Sequence, residues 1–164
     1  MLEDTTQIQA INSVLSQQLA SNHKLLLLGE DIRSPYGGAF KVTQGLSFNY
    51  PEHVINTPIS EACIVGIGNG LALRGYRPVI EIMFGDFIGL IFDQILNHAS
   101  KSRGMYNQQV KVPLVIRTPM GGGRGYGATH SQNLEKHLGG IPDVHLFVLH
   151  GRSKVEKFYQ DNVF

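Results

Sequence analysis

The chain has a single cysteine, Cys63, and no tryptophan in 164 residues. One thiol cannot build an internal disulfide framework, and its isolation fits a reducing compartment. Charge is also scarce, with 16% of residues ionisable as Asp, Glu, Lys or Arg and a formal net charge of +1. No Lys/Arg stripe provides a phosphate footprint, which argues against a nucleic-acid partner. No apolar run reaches the length of a membrane span, and no charged-then-apolar leader opens the chain, so neither a membrane association nor a targeting segment is expected. What remains is enough for a core: 42% of residues are hydrophobic, at a length suited to one domain. The low charge suggests a surface partly covered by another chain.

Periodicity then orders the elements. Residues 5–21 place Ile8, Ile11, Val14, Leu15 and Leu19 at helical spacing, with Asp4 or Thr5 as the expected cap. Residues 25–28 form a continuous apolar run, the pattern of a strand covered on both faces. A loop over residues 30–38 follows it, on the edge where open α/β sheets bind ligands. A short helix is expected at 42–48, a short strand at 54–55, and a strand at 78–83. Asp86 is expected to cap a long helix over 87–103 that lines up Phe87, Ile91, Ile95 and Ala99. Further strands are expected at 112–117 and 145–149, and a last helix at 153–159. Strands alternating with helices predict an α/β fold of three layers: a largely parallel sheet with helices on both faces.

Residues 57–75 carry the most unusual pattern. Glu61 is the only acidic or basic side chain between His53 and Arg74, and Ile59, Ile64, Val65 and Ile67 surround it. If buried, an ionised carboxylate there is costly unless a partner hydrogen-bonds to it. The plain alternative is a first-turn acid on a helix capped by Thr57 or Ser60 and ended at Gly75. Gly66, Gly68 and Gly70 within this helix have neither the spacing nor the strand-to-helix turn of a dinucleotide fingerprint. Small residues on a helix instead suit the close approach of another helix, at a cost of about 1 kcal/mol each in helix propensity.

The other glycine-rich stretch, residues 118–130, follows a strand and is too rich in glycine for regular structure, which marks a functional loop. It lacks the Gly-Lys-Ser/Thr ending of a phosphate-binding loop. His130 and Ser131 at its end have no nucleophile elbow, and the seven histidines form no metal-ligand spacing.

Seven motifs occur in order: Leu-Leu-Gly-Glu-Asp at 27–31, Gly-Gly-Ala-Phe-Lys-Val-Thr at 37–43, Thr-Pro-Ile-Ser-Glu-Ala at 57–62, Arg-Pro-Val-Ile-Glu at 77–81, Phe-Asp-Gln-Ile at 92–95, Pro-Leu-Val-Ile-Arg-Thr-Pro at 113–119 and His-Ser-Gln at 130–132. Together they resemble the β subunit of 2-oxo acid dehydrogenase E1 components. Glu61 with Gly66, Ile67, Gly70 and Leu71 is similar to the helix of thiamine diphosphate enzymes' pyrimidine-binding domains.

The resemblance implies that residues 1–164 form a transketolase-like pyrimidine-binding domain, truncated near its C-terminal end and without the family's C-terminal domain. It implies that Glu61 hydrogen-bonds N1′ of the cofactor's aminopyrimidine, favouring the imino tautomer whose 4′ nitrogen removes the thiazolium C2 proton. Phe87 then packs on the pyrimidine, Ile59 lines the ring pocket through its backbone, and His130 approaches the substrate or incoming lipoyl group. No metal site is expected here: Mg2+ and the diphosphate belong to an α-type partner, since Gly85-Asp86-Phe87 only resembles the start of the family's metal motif. The implied partners are that α-type subunit, a lipoyl-bearing E2 and further β-type chains, in the cytoplasm or, in a eukaryote, the mitochondrial matrix. The implied activity is oxidative decarboxylation of a 2-oxo acid with acyl transfer to lipoyl. A transketolase-like or synthase subunit with another acceptor, and a degenerate interaction module, are the alternatives.

Overall fold

A computed structural model describes residues 6–150 and 155–164. Four strands make one sheet: β1 (Leu25–Gly29), β2 (Val54–Asn56), β3 (Arg77–Glu81) and β4 (Val115–Arg117). All pairings are parallel, in the order β2-β1-β3-β4, with Leu27 opposite Val54 and Val79, and Val79 opposite Val115. The middle strands are buried on both faces, as their unbroken apolar runs require.

Alternate strand residues feed two cores. On one face Leu25, Leu27, Val54 and Val79 pack with Ile11, Val14, Leu15 and Leu19 of helix α1 (Gln7–Ser21). Val155 and Tyr159 of the last helix join the same core. On the other face Leu28, Ile80 and Ile82 pack with Ile64, Val65, Ile88, Ile91 and Ile95. The three-layer α/β arrangement is therefore present. Thr6 caps α1 in a reciprocal capping box with Gln9. Asp4 and Thr5, the expected caps, lie outside the described residues, and Ile8 is exposed rather than on the core face.

A 3-10 turn (Ala39–Lys41) and helix α2 (Leu46–Asn49) replace the single short helix expected at 42–48. Helix α3 (Glu61–Leu73) follows β2. It stops at Gly75, whose φ is +87°. There Gly75 N donates to Ala72 O and Tyr76 N to Leu71 O, a Schellman closure. The expected cap at its start is absent: Ser60 stands at the cap position without a side-chain capping bond, and the buried Thr57 Oγ1 has no partner. Nor do the three glycines share a face. A Cβ on Gly68 would meet Ile80 Cδ1 at 2.7 Å and Leu114 Cδ1 at 3.0 Å, whereas Gly66 and Gly70 face open space. Gly68 thus lets α3 approach the sheet, and only the other two leave room for a neighbour.

The long helix expected over 87–103 is broken into a 3-10 segment (Gly85–Ile91), a π turn (Gln94–Ala99) and helix α4 (Ser100–Met105). Two causes act on it. Asp86 does not cap, because its carboxylate accepts from Gln132 N and Nε2 instead. Buried Asn69 donates to Gln94 O at 2.9 Å, drawing that carbonyl toward α3 at the start of the π turn.

Strand β4 begins at Val115, not 112, since Pro113 has no N–H for the ladder. The expected strand at 145–149 does not form. Leu146, Phe147 and Val148 remain exposed, and Phe147 packs edge-on against Phe158 with ring centroids 4.8 Å apart. A short apolar run cannot reveal whether a neighbouring strand is within reach. Helix α5 is described over Val155–Asn162, and the expected start at Ser153 lies outside the described residues.

Candidate functional site

Four parallel strands deliver four loops to one edge, and every group of interest lies there. Glu30 directly follows β1, Glu61 opens α3 after β2, Glu81 ends β3, and Arg117 ends β4. All three acidic residues are buried, with residue exposures of 7%, 8% and 4%. Three acids with so little water at one end of a sheet are expensive, and each is handled differently.

Glu81 is fully partnered. Its Oε2 accepts from Arg117 Nη1, and its Oε1 accepts from Ala39 N at 2.6 Å. Burial pushes its carboxyl above the ordinary glutamate value, opposed by the Arg117 charge and both hydrogen bonds. The pair fastens the loop after β1 to the sheet. Gly38 permits this contact, since a Cβ there would lie 2.5 Å from Glu81 Oε1 and its φ is +74°.

Glu30 is not partnered on one side: its Oε1 is buried without a hydrogen bond. Burial, then the negative charges of Glu61 and Asp31, push its carboxyl up. Glu61 itself accepts no hydrogen bond among the described residues, and the side-chain cap that would occupy the first N–H groups of α3 is missing.

Because Glu30 binds its proton more tightly when folded than when unfolded, its contribution is present below the ordinary value of 4.5 and is lost as pH rises through the raised one. The thermal midpoint should therefore fall as pH rises across that window. Glu30→Gln should flatten that part of the curve, as read by melting at a series of pH values; an unchanged slope would contradict the burial cost. Asp86 has the opposite sign. Desolvation raises it, but the Gln132 side chain and backbone, its own backbone and the His130 charge together hold it below the ordinary value of 3.8, so its contribution is lost only on acidification.

The glycine-rich loop closes the same edge. The 3-10 turn Ala128–His130 brings the His130 ring edge-on to Phe84 at 4.8 Å and to Phe87 at 5.4 Å between centroids. Phe84 also meets Tyr126 at 5.2 Å, and Tyr126 meets Phe40 at 6.1 Å. His130 Nδ1 lies 2.9 Å from Thr129 Oγ1. Arg124 sits over the rings of Phe40 and Phe84, and its Nη2 donates to His130 O at 3.1 Å.

The structure thus brings Phe87 and His130 into one aromatic cluster and buries Glu61 on the same sheet edge. Ile59, in the turn before α3, is 83% exposed. Among the groups not singled out from sequence are Glu30, Glu81, Phe84, Arg124 and Tyr126. For Glu30 and Glu81 a signal was available, since each acid stands at or just beyond the end of an apolar strand run.

A parallel α/β sheet with a buried acid that lacks a partner among the described residues and an aromatic-histidine cluster at its carboxyl edge belongs to the open-sheet class, whose ligands bind at that edge. Comparison with known proteins narrows that class. Residues 4–161 match the family described as "Transketolase, pyrimidine binding domain", and the chain belongs to it.

Similar curated proteins include the pyruvate dehydrogenase E1 component subunit beta of Leifsonia xyli, 42% identical over 80% of this chain and 39% of the relative. The 3-methyl-2-oxobutanoate dehydrogenase subunit beta of Mycobacterium tuberculosis is 38% identical over 82% of this chain and 39% of the relative. The acetoin:2,6-dichlorophenolindophenol oxidoreductase subunit beta of Cupriavidus necator is 38% identical over 82% of this chain and 43% of the relative. The chain therefore spans about two fifths of the length of these relatives. No described helix is long and apolar enough to cross a membrane.

Proposed function

We propose that this chain supplies the pyrimidine half of a thiamine diphosphate site in an α/β E1 assembly that oxidatively decarboxylates a 2-oxo acid and passes the acyl group to a lipoyl-bearing E2. The observation that carries this reading is Glu61: buried, without a hydrogen-bond partner among the described residues, at a helix start with no side-chain cap. A domain that hides an acid without pairing it retains that acid for a donor from outside.

The residues present fit the cofactor. Glu61 would accept a hydrogen bond from the aminopyrimidine ring nitrogen and hold a proton there. Beside it, Glu30 has its own carboxyl pushed up by burial and by the Glu61 charge, so this corner of the site disfavours a further negative charge. Phe87 would pack on the flat heterocycle, its ring already placed by contacts with Phe84 and His130. Exposed Ile59 offers apolar surface at the mouth of the site, and His130 would meet the substrate or the lipoyl group. Bound thiamine diphosphate supplies the carbanion chemistry, and the chain's own groups orient it and manage its proton. Mg2+ and the diphosphate would be held by the α-type partner, and Gly66 and Gly70 leave a face open for a second β-type chain.

The similarity to an acetoin oxidoreductase subunit keeps a second reading, the same half-site serving another acyl donor or acceptor. Calorimetry with thiamine diphosphate and magnesium tests both. Binding is expected only with the α-type partner present. Absence of binding in every combination would overturn the proposal and favour a non-catalytic module, whereas binding without 2-oxo acid turnover would favour the second reading.

A further inference from the structure

Two guanidinium groups stand at the carboxyl edge of the sheet, and they are held in opposite ways. Arg117 is neutralised by Glu81. Arg124 forms no ion pair among the described residues. Its Nη2 is bound to His130 O, while Nε is buried without an acceptor. The side chain is nevertheless fixed, with Cζ 5.0 Å from the Phe40 centroid and 5.6 Å from that of Phe84.

A cation held between ring faces and a carbonyl, with an N–H that lacks an acceptor, is preorganised for an anion. A guanidinium stays charged throughout the physiological range, so its missing counter-charge cannot be restored by proton loss. No described carboxylate supplies that counter-charge, which leaves the group available to an anionic ligand. Through His130 the group is tied to the aromatic cluster that also contains Phe87.

We infer that Arg124 recognises the carboxylate of the 2-oxo acid, setting the site's requirement for an anionic substrate. The inference rests on the function proposed above. The carboxylate's charge is lost as carbon dioxide departs, so a cation bound to it stabilises the ground state at least as much as the transition state. Its effect should fall on KM more than on kcat. A charge-assisted hydrogen bond of this kind corresponds to roughly a tenfold to hundredfold effect on affinity.

The test uses the chain assembled with its α-type partner, with pyruvate and 3-methyl-2-oxobutanoate as substrates. Arg124→Gln is expected to raise KM by about tenfold to a hundredfold with kcat changed much less, and Arg124→Lys to recover part of the loss. Oxamate, a pyruvate isostere that keeps the carboxylate and is not decarboxylated, should bind more weakly to Arg124→Gln by a similar factor in calorimetry. Thiamine diphosphate affinity, measured separately, should not change. An unchanged KM and oxamate affinity would overturn the role of Arg124 while leaving the proposed function intact. A parallel loss of thiamine diphosphate binding would overturn it in favour of the cofactor's phosphates. A wild-type assembly that turns over neither 2-oxo acid would overturn both. Should Arg124→Gln fail to fold, the Lys variant decides alone: the charge retained without the planar fork should still raise KM above wild type.

Discussion

Glu61→Ala is expected to lower kcat of the reconstituted assembly by roughly a hundredfold to ten-thousandfold, the usual range for loss of a group that positions a catalytic proton. The same substitution should leave the thermal midpoint unchanged or raise it. The two outcomes have one cause. Glu61 is 8% exposed and accepts no hydrogen bond among the described residues, so truncating it breaks no bond that holds the fold together. Removing it relieves the repulsion on Glu30. Stabilising an isolated domain while silencing an assembly is the signature of a residue kept for chemistry. Steady-state kinetics and circular-dichroism melting measure the pair. Full activity in Glu61→Ala would remove the acid from the mechanism, and a midpoint lowered by many degrees would make it structural.

The second large effect lies at the end of β3. Glu81→Ala leaves Arg117 charged at a site where the guanidinium-bearing side chain is only 12% exposed, and it releases the Ala39 N–H. Breaking one side of such a buried pair costs about 3–5 kcal/mol. For a domain of this size that corresponds to a fall in midpoint of roughly 10 °C. Replacing both partners, in Glu81→Leu with Arg117→Leu, should restore much of the loss, because no buried charge then lacks its partner. Equal destabilisation by the single and double variants would contradict this account. The loop after β1 offers a second readout: without Glu81 its anchor at Ala39 is gone, so proteolysis within residues 33–45 should accelerate while the midpoint of the double variant recovers.

The sheet and its two cores were legible because they rest on local patterns. Four apolar runs marked four strands, and Gly75 marked the end of α3 by the conformation only glycine takes readily. Glu61 stood out by its isolation, and the resemblance supplied a reason for it. What could not be read depended on contacts between distant residues. The bond from Asn69 to Gln94 and the capture of Asp86 by Gln132 turned an expected long helix into three short pieces. The run at 145–149 had the composition of a strand but no strand beside it to pair with. The Arg124 cluster gathers residues from three separate loops, and no spacing along the chain records their meeting.

Helix α3 ends in two different manners. Its carboxyl terminus is shut by the bonds at Gly75 and Tyr76, while its amino terminus begins without a side-chain cap. One element of thirteen residues should thus show a gradient of amide protection, from the open N–H groups at Glu61 to the turn closed at Gly75 and Tyr76. A ligand bound at Glu61, as proposed, would cover the end where solvent deuterium enters first, so the loss of that gradient would report occupancy without any need for turnover.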